Sequence, residues 1–172
     1  MIKMLSATAI ALLISTPAFG DIEFGTSAGW TGYNGDAEEL LNAGSIRGTV
    51  YFDNGLGVEA EASFGANDAD LDSGGTVEIK LDSEYVGYAL YKWDLNDRTD
   101  LFVRLGYGTS TFSSEQFPGD EVDVDGPSFG IGGHFFLTQT FGLRADYRRF
   151  EADEDDFEGG LDVISVSAAL RF

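Results

Sequence analysis

An eight-stranded antiparallel up-and-down transmembrane β-barrel, an all-β fold, is what this sequence predicts, on three observations. The last twelve residues, LDVISVSAALRF, alternate strictly and end on an aromatic: Ile164, Val166, Ala168, Leu170 and Phe172 share one strand face, and Ser165, Ser167 and Arg171 the other. Such a strand suits a wall between hydrocarbon and a polar interior. Period-two segments also recur eight times, and their connections alternate between short and long. Finally, residues 1–20 read as a cleaved secretory leader, yet no later stretch approaches the roughly eighteen apolar residues of a spanning helix.

The leader has Lys3 as its positive region, an apolar run from Ala7 to Ile14, and Pro17-Ala18-Phe19-Gly20 as a small-residue cleavage site. Residues 21–172 then form one barrel domain. Glycine is common at 23 residues, proline scarce at 3, and aromatics make up 13%, which favours strands and tight turns. Cysteine is absent, so neither disulfides nor thiolate metal sites contribute. The net charge of −20 becomes −21 once Lys3 leaves, and so acidic a chain repels nucleic acid.

The eight segments run over 22–33, 44–52, 56–64, 80–93, 100–112, 127–137, 141–150 and 161–172. The first puts Phe24, Ala28 and Trp30 outward, and the second Ile46, Val50 and Phe52. Asp-Asn-Gly at 53–55 is a strong hairpin signal into the third, which presents Leu56, Val58, Ala60 and Phe64. In the fourth, Val86, Tyr88 and Leu90 are assigned outward against competition from Tyr85, Tyr91 and Trp93. Short turns at 94–99 and 138–140 close the next two hairpins. Their outward residues are Leu101, Val103, Leu105 and Tyr107, then Phe129, Ile131, Phe135 and Leu137, then Phe141, Leu143, Ala145 and Tyr147. The long connections are 34–43, 65–79, 113–126 and 151–160, of which only 34–43 suits a helical turn.

The opposite parity carries charge: Glu23, Arg47, Glu59, Glu61, Arg104, His134, Arg144, Asp146, Arg148 and Arg171. Glycines 25, 29, 57, 87, 106, 108, 130, 132 and 142 share that face and leave room for long arginines. A closed eight-stranded barrel is just wide enough for side chains to fill. Charges at close range in a narrow lumen pair with one another, so the inner set reads as a salt-bridged plug, with an ion channel as the alternative.

In this layout residues 21–172 resemble the small eight-stranded outer-membrane barrels related to the OmpA transmembrane domain, OmpX and the opacity-type adhesins. The local likeness lies in YVGYALYKW leading through a short turn into DLFVRLGYGTS. The resemblance implies an outer-membrane location, long loops outside, and both termini in the periplasm. It further implies contact with outer-membrane lipid and lipopolysaccharide, and a terminal aromatic, Phe172, that signals to the barrel-assembly machinery. OmpA's peptidoglycan-binding domain has no counterpart after Phe172, so wall tethering is not implied.

Acid gathers at the loops: 34–43, 65–84, 113–126 and 151–162 hold 21 of the 30 carboxylates, with Lys80 the only base. These loops read as solvated surface, with loose divalent-cation binding by Asp68, Asp70, Asp72, Asp153, Glu154, Asp155 and Asp156 as the competing use. Residues 68–74 begin like an EF-hand loop, but Ser73 replaces the turn glycine and Ile79 the twelfth-position Glu. Catalysis finds no support: His134 is the single histidine, and Ser128 lies six residues away along an extended strand. No cofactor motif is present. The sequence therefore predicts a non-enzymatic envelope barrel with a structural and surface-interaction role. A small-solute porin and a soluble periplasmic ligand-binding barrel of lipocalin type are the alternatives.

Overall fold

The computed structural model describes residues 22–34, 41–66, 68–72, 76–114, 121–151 and 160–172. All of its regular structure is strand: β1 (Glu23–Asn34), β2 (Leu41–Tyr51), β3 (Leu56–Gly65), β4 (Asp68–Asp72), β5 (Thr76–Asn96), β6 (Thr99–Ser114), β7 (Glu121–Phe136), β8 (Phe141–Glu151) and β9 (Gly160–Arg171). Eight of these form the barrel, each antiparallel to its neighbours, in the cyclic order β1-β2-β3-β5-β6-β7-β8-β9. Closure runs along β1 and β9, from Gly25 opposite Arg171 to Asn34 opposite Asp162. The backbones of Phe24 and Phe172 add a reciprocal pair of hydrogen bonds of 3.2 and 2.8 Å just beyond that ladder.

The turn between β2 and β3 follows from its sequence. Gly55 has φ of +81°, a left-handed conformation that glycine adopts without steric cost. Its N–H donates to the Phe52 carbonyl at 2.9 Å, and the Asn54 side chain accepts from the N–H of Leu56 at 3.0 Å.

The strands overrun the predicted segments where the connections are long. β2 starts at Leu41, inside the stretch suited to a helical turn, whose residues 35–40 lie outside those described. The connection over 65–79 contains β4 and the start of β5, paired from Asp68 opposite Lys80 to Asp72 opposite Thr76. Asp68, Asp70 and Asp72 thus stand at alternate positions of a strand and not on a loop. β5, β6 and β7, at 21, 16 and 16 residues, make one side of the barrel taller than the rest. β7 pairs with β6 from Glu121 onward but with β8 only from Ser128. Pro127 stands where the second ladder stops, and it has no N–H to offer one.

The predicted outward belt is exposed on most strands, including Trp30, Ile46, Val58, Leu105, Ile131, Leu143 and Val166. Apolar residues thus coat the outside, which is the reverse of a lipocalin-type barrel.

β5 requires a correction. Val86, Tyr88 and Leu90 are buried inside, and Tyr85, Tyr91 and Trp93 face out, with Tyr91 and Trp93 edge to face at 4.7 Å. Both parities of YVGYALYKW are apolar, so hydropathy does not choose between them. The charges at its ends do: Glu84 and Lys92, of the inward parity, find partners within the barrel. Gly87 consequently faces outward as well.

Candidate functional site

The lumen holds four arginines and four carboxylates that the alternation of the strands drives into one space: Arg47 from β2, Glu59 and Glu61 from β3, Glu84 from β5, Arg104 from β6, and Arg144, Asp146 and Arg148 from β8. All eight are no more than 5% exposed. Arg47 donates to Glu61 at 2.9 Å and to the hydroxyls of Ser165 and Ser167 at the same distance. Arg104 donates to Glu59 at 2.9 Å, to Glu61 at 2.8 Å, and also to Asp146. Arg144 forks onto both oxygens of Glu59, with one bond of 3.0 Å, and reaches Asp146 through Nε at 2.9 Å. The four positive charges balance the four negative ones, and most contacts cross between strands that are not neighbours.

Arg148 and Glu84 form the end of this set nearer the long loops. Glu84 also accepts from the Tyr33 hydroxyl at 2.6 Å and from Ser110 at 3.2 Å. Beyond them an apolar cluster of Tyr33, Ala43, Leu81 and Val163, with Leu41, Phe112 and Leu161 against it, packs inside the strands. A second cluster, Tyr51, Val86, Tyr88, Leu90 and Phe102, runs from the level of the cage, where Val86 and Tyr88 stand opposite Glu61 and Glu59, toward the short turns. Guanidinium groups lie over its rings, Arg104 on Tyr88 at 4.5 Å and Arg144 on Phe102 at 4.4 Å.

Glu23 and Arg171 stand apart from the eight-group set. Glu23 pairs with Lys92 at 2.8 Å near the short-turn end. Arg171 donates to backbone carbonyls, of Gln139 at 2.7 Å and of Asp97 at 3.0 Å. His134 Nδ1 lies 2.6 Å from Asp100, and its ring is flanked by Phe102 and Phe136. This is a packed histidine, and among the described residues no serine hydrogen-bonds to it.

Three lumen charges are additions to the predicted list: Glu84, Lys92 and Asp100. Its position in the sequence places Glu84 in the acidic rim over 65–84, but the residue is buried beside Arg148. The signal for Asp100 was its parity, which is that of Arg104; the signal for Glu84 and Lys92 was hidden by the inverted face of β5. Among the described residues no three His, Asp or Glu side chains converge as metal ligands. Asp153, Glu154, Asp155 and Asp156 lie outside the described residues.

The profile of the outer membrane protein beta-barrel domain family matches residues 5–172. The chain belongs to that family. Among solved structures, the outer-membrane barrel OprG of Pseudomonas aeruginosa is similar at a TM-score of 0.67 and 14% identity, over 87% of this chain and 95% of that one. Ail, the attachment invasion locus protein of Yersinia pestis, solved with the heparin analogue sucrose octasulfate, gives 0.64 at 18% identity, over 88% and 99%. Neisserial surface protein A gives 0.55 at 15% identity, over 87% and 95%. At these identities the likeness is one of fold. A comparison with curated proteins finds no match.

Proposed function

We propose that this outer-membrane barrel is a non-conducting, non-catalytic envelope protein whose ion-paired lumen is a plug and whose acidic loops meet the surroundings of the cell. Residues 1–20 direct export and are removed. The short turns and both termini face the periplasm, the long loops face outward, and the belt meets lipid and lipopolysaccharide. One observation carries the reading: the eight charges of the cage are buried and cancel one another, with one apolar cluster on their long-loop side and another packed beside them and toward the short turns. A pore for small solutes needs mobile charges in water, whereas seven of these are held by two or more hydrogen bonds each and Arg148 is held by its ion pair with Glu84.

The measurement is ion conductance of the folded barrel in planar bilayers, with and without Ca²⁺. No stepwise conductance is expected, and steady channel openings would turn the reading to a porin. Fractionation tests the location. The mature chain should follow outer membranes and resist carbonate extraction, and recovery as a soluble periplasmic monomer would refute it.

A further inference from the structure

We infer that Arg171 is a latch that closes the short-turn mouth of the barrel, an inference that rests on the plugged-lumen reading and deepens it. Five side chains from four consecutive strands stack in a column at this end. The Arg144 guanidinium lies 4.4 Å from the Phe102 ring centre, Phe102 is 5.2 Å from the His134 ring, and His134 stacks on Phe136 at 5.7 Å. The Arg171 guanidinium lies over the same Phe136 ring at 3.9 Å. One end of the column therefore belongs to the charged cage, and the other is a cation at the mouth.

Arg171 is fixed there by more than stacking. Its Nε donates to Gln139 in the β7–β8 turn and its Nη2 to Asp97 in the β5–β6 turn, so two hairpin turns are tied to the closing strand β9. The Arg171 backbone N–H donates to Thr140 at 2.9 Å, which seats the residue against the same turn. A planar fork reaching two carbonyls from a position over a ring is a task for guanidinium and not for ammonium. Among the described residues no anionic side chain pairs with it, and the partners it has are backbone carbonyls and a ring.

His134 is the only histidine in the chain, it stacks on the Phe136 ring that Arg171 also covers, and it lines the same cavity at this end as Arg171. Its reaction with diethyl pyrocarbonate, which carbethoxylates an imidazole nitrogen, therefore reports opening of this mouth. The folded barrel in detergent micelles should react far more slowly than the urea-unfolded chain. Arg171→Ala should raise the rate about tenfold, the size of a local opening eased by loss of two charge-assisted bonds. Arg171→Lys should be raised similarly, because it keeps the charge but lacks the fork. Phe136→Leu, which removes the ring and keeps Arg171, should also accelerate the reaction and serves if the Arg171 variants fold poorly. Arg98→Ala, at an exposed arginine of the same end, should match the parent. Slow reaction in the parent and in the Arg171 and Phe136 variants alike would overturn the latch alone. Fast reaction in the parent would overturn the latch and the plugged lumen together.

Discussion

Arg104 meets three carboxylates from two other strands, Glu59, Glu61 and Asp146, and shows how much one lumen residue carries. Its removal leaves buried charge without a partner, a loss on the order of 3–5 kcal/mol, whereas an exposed pair contributes about 1 kcal/mol or less. Arg104→Ala should therefore lower the unfolding free energy strongly. Arg149→Ala, at a half-exposed arginine paired with Glu151 and Asp162, should change it little. Urea titration of the barrel in lipid vesicles measures both, and equal small losses would point to a hydrated lumen. Alternation alone singled out seven of the eight cage members. Glu84 was missed because a carboxylate near a loop looks the same in sequence whether it turns toward water or toward an arginine.

Strand packing makes similar glycines unequal. A Cβ at Gly29 would stand 2.2 Å from the Val166 carbonyl oxygen and 2.4 Å from the Ser167 Cα, both backbone atoms of the neighbouring strand. At Gly48, on the outer face, a Cβ meets nothing within 4 Å. Gly29→Ala should thus cost about 1–3 kcal/mol by overpacking, and Gly48→Ala should be neutral or slightly stabilising, since glycine in a strand costs about 0.5–1 kcal/mol relative to alanine. The same urea titration separates them. At the closing strand, Phe172 bonds to Phe24 through its backbone, and the residue is 71% exposed. If the ring is an assembly signal, Phe172→Ser should reduce the heat-modifiable protein reaching the outer membrane of cells. The purified, refolded variant should unfold at nearly the parent's urea concentration, and a large shift in that midpoint would assign the ring to stability instead.

Over the whole molecule, charge is sorted by place: a neutral cage inside, an apolar coat outside, and carboxylates concentrated in the long connections. Such density at one end repels itself, and divalent cations relieve it. For clustered surface carboxylates of this kind the affinity should be on the order of 10⁻⁴–10⁻³ M. Neutralising Asp153, Glu154, Asp155 and Asp156 together should lower Ca²⁺ uptake in equilibrium dialysis, and equal uptake by parent and variant would leave the acid a purely solvating role. The sequence by itself determined the barrel class, the strand count and the faces of seven barrel strands, because period-two alternation is local and a lipid-facing wall punishes every exception. Tertiary structure alone decided the face of β5, the pairing of β4 with β5, and the partners of each lumen charge. Both faces of β5 are apolar, so its orientation depends on where Glu84 and Lys92 find opposite charge across the lumen. Which carboxylate meets which arginine depends likewise on barrel closure, since closure brings side chains far apart in sequence within hydrogen-bonding reach.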